Sequence, residues 1–160
     1  MSQKQPFEQV VAEHGPTVLR VCRAVLGLHD AHDAWSETFL AAMRAWPELA
    51  GDANVQAWLV RIAHRKAIDI VRSQRRGFIP VANLPEQHSR EGVPGQHLGL
   101  WEAVAELPDK QRLAVAYHHL AGLPHEDVAA IVGGTTEAAR KAASDGIKRL
   151  RTSELIKDMT

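Results

Sequence analysis

The stretch HEDVAAIVGGTTEAARKAASDGIKRLR, residues 125–151, decides how the second half of the chain folds. Apolar residues at three- and four-residue steps predict two helices, and the glycines Gly133-Gly134 separate them. Ala129 is small enough to let the two helices approach closely, and a glycine supplies the positive φ angle that the turn needs. Thr135 or Thr136 can cap the second helix. The pattern predicts a helix-turn-helix unit.

The same helical period recurs on the amino-terminal side of this unit. No segment has the strict alternation of a β-strand, so the sequence predicts an all-α protein. Gly15-Pro16 interrupts the first predicted helix, and a kink or a restart is expected there. The further predicted helices span residues 7–27, 30–45, 54–75, 98–106 and 109–121.

Residues 77–97 differ in character from both flanks. Prolines and glycines are frequent there and the helical period is lost, which is typical of a linker. The sequence therefore predicts two small helical domains joined by a flexible linker. Residues 1–76 form a three-helix bundle, and residues 98–160 form a four-helix domain that contains the helix-turn-helix.

Charge is balanced over the whole chain but not along it. The chain has 19 basic and 19 acidic residues. Residues 61–76 contain six cations and one carboxylate, and residues 140–151 contain five cations and one carboxylate. Local potential decides phosphate binding because salt screens distant charges, so two such segments can bind DNA at two places. Solvated helix faces and an ordinary helical hairpin are the alternative interpretations; the cations that follow the helix-turn-helix favour DNA binding.

Other functional classes find no support in the residues. The nine histidines include His118-His119 and His125, but no cysteine or carboxylate stands at a recognised metal-ligand spacing. No glycine-rich phosphate loop or nucleophile motif is present, so neither an enzyme nor a cofactor is expected. No apolar run could span a membrane and no signal peptide is evident. Cys22 lies among valines and is expected to be a buried thiol, which fits a cytoplasmic protein without membrane contact.

Four segments, in order, resemble the extracytoplasmic-function (ECF) sigma factors of bacterial RNA polymerase. DAHDAWSETFL at 30–40 is similar to the family's DAEDLVQEVFL, and AWLVRIA at 57–63, followed by Ala67-Ile68-Asp69, to AWLYRIARNLALDLLRRR. LPDKQR at 107–112 resembles LPPRQR, and AGLPHEDVA at 121–129 resembles EGLSYEEIA. The resemblance covers nearly the whole chain.

This resemblance implies a protein that binds core RNA polymerase and directs promoter recognition and transcription initiation. The residues that it assigns to polymerase binding are Asp30, Asp33, Ser36 and Glu37. Those that it assigns to the minus-ten promoter element are Asn54, Arg61, Arg65, Lys66, Arg72, Arg75 and Arg76. Those that it assigns to the minus-thirty-five element are Thr135, Thr136, Glu137, Arg140, Lys141, Lys148 and Arg149. An anti-sigma factor is also expected as a partner.

The last helix departs from the family pattern. Ala142 and Asp145 occupy positions that are usually basic, and Gly146 is expected to weaken the helix by about 1 kcal/mol. Weak or relaxed recognition of the upstream element is therefore predicted. Two other functions remain open: a helix-turn-helix regulator that acts without polymerase, and a helical protein whose basic faces bind an acidic protein.

Overall fold

A computed structural model describes residues 4–76 and 98–153 of the chain. Within these ranges the chain forms helices and no strand, which confirms the all-α prediction. The first half contains α1 (Phe7–Leu26), α2 (Ala31–Ala45), a 3₁₀ turn (Trp46–Glu48) and α3 (Val55–Arg76). The second half contains α4 (Leu98–Ala105), α5 (Asp109–Ala114), a π-helical turn (Val115–Leu120), α6 (His125–Val132) and α7 (Thr136–Arg151). The predicted linker, residues 77–97, lies outside the described residues.

Helix α1 runs through Gly15-Pro16 without restarting. Gly15 is buried, and its missing side chain leaves room for Trp35 of α2, whose ring would lie 3.4 Å from a Cβ at this position. The Trp35 indole N–H donates a hydrogen bond to the Gly15 carbonyl, at 2.9 Å. Trp35 thus joins α2 to the centre of α1.

The first half has its own core between α1, α2 and α3. Val10, Val18 and Leu59 are fully buried there, together with smaller side chains that let the helices approach. The rings of Trp46 and Trp58 pack 5.9 Å apart at the edge of this core. Because the apolar side of α3 is buried in this core, the opposite side of α3 faces outward.

The second half is organised by the segment LPDKQR. The Arg112 guanidinium donates hydrogen bonds to the carbonyls of Ala105 and Leu107, at 3.1 and 3.0 Å, and pairs with Asp109 at 2.5 Å. These bonds satisfy carbonyls that the end of α4 would otherwise leave without partners. The segment thus sets the angle between α4 and α5, and α5 then widens into the π-helical turn.

The two halves pack against each other. Val21 and Ala24 of α1 and Val60 of α3 belong to the same buried cluster as Tyr117 and Leu123 of the second half. Across this seam the Tyr117 hydroxyl is hydrogen-bonded to His64 Nδ1, at 2.7 Å, and the Gln56 side-chain amide donates to the Ala121 carbonyl. The sequence predicted two separate bundles joined by a linker. In the structure, α3 has a second buried face, which packs against the second half.

Candidate nucleic-acid and partner-binding surfaces

One exposed face of α2 combines acidic and apolar side chains. Asp33, Ser36 and Glu37 are all exposed, and they follow one another at helical spacing. Leu40 and Met43 continue the same face and are 44% and 50% exposed, the large apolar side chains that the described residues leave most open to solvent. An apolar pair beside carboxylates is typical of a protein-binding surface. We call Asp33, Ser36, Glu37, Leu40 and Met43 the α2 face.

The sequence prediction did not include Leu40 and Met43. The sequence could have predicted their position on this face, because they lie four and seven residues after Ser36 and fall outside the buried stripe of α2. Asp30, which was predicted on this surface, is half-buried and accepts a hydrogen bond from the Gln74 side chain at 2.8 Å. The structure thus gives Asp30 a structural partner at the start of α2.

The exposed side of α3 is basic. Arg61, Arg65 and Arg72 are exposed, and none of them forms an ion pair with a carboxylate among the residues described. Lys66 is half-buried, and the side chains of Arg75 and Arg76 lie outside the described part of the structure. Unpaired guanidinium groups on one helix face can bind successive phosphates, because the N–H donors of each group remain available for hydrogen bonds.

Asn54 has a local role at the start of α3. Its side-chain oxygen accepts a hydrogen bond from the backbone N–H of Ala57, at 3.1 Å, which is the geometry of a helix cap. The side chain is exposed. A base that bound its oxygen would compete with this cap.

The predicted helix-turn-helix is present. Gly133 and Gly134 have φ angles of +93° and +96°, the conformation that only glycine adopts without strain. The Thr135 hydroxyl accepts a hydrogen bond from the Ala138 N–H, at 3.0 Å, so Thr135 caps α7. Thr136 is half-buried in the first turn.

Helix α7 presents a charged exposed side made of Glu137, Arg140, Lys141, Lys148 and Arg149. Arg140 pairs with Glu137 at 3.4 Å, and Lys141 pairs with Asp145 at 3.2 Å. Such exposed pairs contribute at most about 1 kcal/mol, so a phosphate can replace the carboxylate. Asp145 reduces the positive potential around Lys141; weak recognition of the upstream element remains a prediction.

Gly146 lies on the buried side of α7, where its lack of a side chain affects packing. A Cβ at Gly146 would lie 2.6 Å from Cγ2 of Val115 and 3.4 Å from the Gln111 carbonyl oxygen. Gly146 thus lets α7 approach α5 and the start of the π-helical turn closely, with Ala139 and Ala143 on the same side of the helix. The sequence-based prediction considered only the helix propensity of Gly146; the structure adds a packing constraint at the same position.

Cys22 is buried, as the sequence predicted. Burial raises the pKa of the Cys22 thiol to about 12, so it is protonated and unreactive. In the described ranges, no three His, Cys, Asp or Glu side chains are placed to hold a metal ion. None of the helices described there is long and apolar enough to cross a membrane.

A helix-turn-helix with a basic outer face, preceded by a bundle with a second basic helix, defines a class of helical DNA-binding proteins. Comparison with protein families narrows that class. Residues 10–77 match the model of Sigma-70 region 2, and residues 97–150 match that of Sigma-70, region 4. The ECF RNA polymerase sigma factor SigD of Mycobacterium tuberculosis is 31% identical over 92% of this chain and 76% of its own length. RNA polymerase sigma factor CarQ of Myxococcus xanthus is 28% identical over 91% of this chain and 87% of its own length.

Solved structures have the same fold. RpoE of Bartonella quintana, solved with the anti-sigma factor NepR, has a TM-score of 0.76 at 22% identity, over 94% of this chain and 96% of that one. CnrH, solved with the cytosolic domain of CnrY, has a TM-score of 0.65 at 24% identity, over 91% of this chain and 84% of that one. The protein belongs to the ECF family of RNA polymerase sigma factors. It is a transcription initiation factor.

Proposed function

We propose that this sigma factor binds core RNA polymerase through the α2 face. The observation that carries the proposal is the pair Leu40 and Met43, half exposed beside Asp33 and Glu37. Burying the exposed parts of two such side chains contributes roughly 1 kcal/mol each. The carboxylates would meet basic groups on the polymerase and restrict the orientation in which the helix docks. Asp30 would support this surface indirectly, through its bond to Gln74.

We further propose that promoter DNA is contacted by both basic helices. Arg61, Arg65 and Arg72 would bind phosphates of the minus-ten element, with Lys66, Arg75 and Arg76 beside them, and Asn54 would contact an unstacked base at the start of α3. In α7, the first turn would face base edges in the major groove of the minus-thirty-five element. The residues proposed there are Thr135, Thr136, Glu137, Arg140, Lys141, Lys148 and Arg149.

The domain boundaries proposed are 1–76, 77–97 and 98–160. Two promoter elements can be bound at once only if the two basic helices can reach separate stretches of DNA. The shared core around Val60 and Tyr117 holds the halves together in the structure described above. We propose that docking on polymerase separates them along this seam, with residues 77–97 as the tether.

We propose an anti-sigma factor as a second partner, because RpoE and CnrH were each solved with another protein, NepR in one case and the cytosolic domain of CnrY in the other. The chain would act in the cytoplasm, without membrane contact, cofactor or catalytic reaction of its own.

In-vitro transcription with core polymerase and a pool of promoter fragments tests this function. We expect run-off products that depend on both components. Glu37→Lys should reduce them by weakening the polymerase complex, whereas Glu13→Lys, an exposed carboxylate of α1, is the matched control and should not. Promoter binding by the chain alone, with no transcript on adding polymerase, would favour the helix-turn-helix regulator instead.

A further inference from the structure

Three histidines meet beside α7, next to Arg140 and Lys148, which are proposed above to contact DNA. The rings of His118 and His125 stack with centroids 3.8 Å apart and an interplanar angle of 17°, and His119 packs edge-on against His118 at 4.7 Å. The π-helical turn carries His118 and His119 side by side, and π-helical turns occur frequently at functional sites.

These rings line a cavity of about 290 Å³ between the π-helical turn, the start of α6 and α7. The titratable and charged groups that face it are His118 and His119 from the π-helical turn, His125 from α6, and Arg140, Lys148 and Arg151 from α7. We call this set the histidine notch. No carboxylate is among the described residues that line it; Glu137 touches Arg140 from outside, at 3.4 Å.

The hydrogen bonds of the notch leave one buried ring nitrogen without a partner among the described residues. His118 Nδ1 is 2.7 Å from the Leu123 carbonyl and must donate to it, because a carbonyl only accepts. Nδ1 of His125 is shielded from solvent and has no hydrogen-bond partner among the described residues. Burial, reinforced by the neighbouring charges of His118 and Arg140, lowers the pKa of His125, and burial and His118 lower that of His119.

Arg140, Lys148 and Arg151 are thus crowded around the notch, with no carboxylate among the described residues that line it. A bound anion would relieve the repulsion and would favour the protonated rings, which then donate from both nitrogens. An arginine, a lysine and imidazolium groups around one small cavity match the tetrahedral oxygens of a phosphate.

We propose that the histidine notch binds one backbone phosphate of promoter DNA, at the edge of the groove that α7 enters. This inference rests on the proposed DNA binding by α7. DNA is favoured over a free anion because the notch is continuous with the exposed cations of α7, so a duplex lying on that helix brings a phosphodiester to it. Since the rings take up protons with the phosphate, affinity for DNA rises as the pH falls.

The test measures binding of the full chain to a short duplex of random sequence, because phosphate contacts do not depend on sequence. Fluorescence anisotropy gives the dissociation constant over a range of salt, near pH 6 and near pH 8. One phosphate contact changes the slope of log K against log salt by about 0.9. We expect the wild-type slope to be steeper by about that amount near pH 6 than near pH 8.

The variant is His119→Gln with His125→Gln; His118 is kept because it holds the Leu123 carbonyl. We expect this double variant to have the same shallow slope at both pH values. His29→Gln, in the exposed turn before α2, is the matched control and should behave as wild type. Equal helix content and melting temperature exclude a folding defect. A wild-type slope that does not change with pH, or a pH effect that survives in the double variant, overturns the proposal.

Nuclear magnetic resonance titration of the ring protons separates DNA from free phosphate. We expect the duplex to raise the pKa of His119 and His125, and an equal concentration of inorganic phosphate to leave both unchanged. Shifts produced by inorganic phosphate and not by the duplex overturn the assignment to DNA. The transcription assay with core polymerase reports on the proposed function separately: transcription without the pH effect refutes the notch alone, whereas the pH effect without transcription refutes the proposed function alone.

Discussion

Replacing Gly146 by alanine tests the packing that positions α7. In an exposed helix the substitution stabilises by about 1 kcal/mol, because alanine loses less backbone entropy than glycine. Here the new Cβ would lie 2.6 Å from Cγ2 of Val115, well inside the 3.5–4.0 Å at which carbon atoms attract. Val115 is buried and β-branched, so it cannot rotate away freely.

The magnitude follows from these opposing effects. Overpacking of a rigid core costs about 1–3 kcal/mol, and an overlap this deep belongs near the upper end. After subtraction of the helix-propensity gain, Gly146→Ala should lower the free energy of unfolding by about 2 kcal/mol. Because α7 must shift to relieve the contact, binding of DNA by the helix-turn-helix should weaken as well.

Urea unfolding of the full chain, followed by circular dichroism, measures this effect. Ser144→Ala, on the exposed side of α7, is the control and should change stability by no more than a few tenths of a kcal/mol. Combining Gly146→Ala with Val115→Ala removes the contact, so the loss in the double variant should be smaller than the sum of the two single losses. A Gly146→Ala protein that is more stable than wild type would refute the reasoning.

Three further outcomes are expected. Burial lowers the pKa of His64 at the seam, so protonation of this ring is unfavourable while the two halves are packed. Packing of the halves is therefore fully stable above about pH 6.5, the pKa of an exposed histidine, and weakens as the pH falls below that value. Small-angle scattering should therefore show expansion on acidification, and His64→Gln should reduce the pH dependence. Thr135→Ala removes the cap of α7 and should cost about 1 kcal/mol in urea unfolding, whereas Thr152→Ala, beyond the end of the same helix, should cost less. Arg65→Ala should reduce the slope of log K against log salt, for promoter DNA binding by the complex of this protein with core polymerase, by about 0.9, the value for one phosphate contact. An unchanged slope would show that Arg65 does not contact DNA.

Helices and their ends could be predicted from the sequence because their signals are local. Apolar residues at helical spacing, together with Gly133-Gly134 and Thr135, were sufficient for the helix-turn-helix. The same local reasoning identified the basic side of α3. Periodicity within α3 does not reveal, however, that a distant segment covers a second face of this helix, where Val60 is buried.

The features that the sequence did not predict depend on contacts between distant residues. Gly146 looks unfavourable within α7, and only the position of Val115 shows why a side chain is excluded there. Trp35 acquires its role from a carbonyl of α1, and the histidines meet only because the π-helical turn brings His118 against His125. Leu40 and Met43 are an exception, because their helical spacing from Ser36 already places them on the exposed face of α2.

The most direct test of the proposed function is the affinity of core RNA polymerase for the full chain. Each apolar anchor at the centre of an interface commonly contributes about 1–2 kcal/mol, so replacing Leu40 and Met43 together by serine should weaken binding at least tenfold. A matched replacement of Leu19 by serine, on a partly buried face of α1, controls for general loss of apolar surface. The prediction is tight association of the wild type and of the Leu19→Ser control, and weak association of the double variant. Failure of the wild-type chain to bind polymerase even at low salt, or equal binding by the double variant, would contradict it.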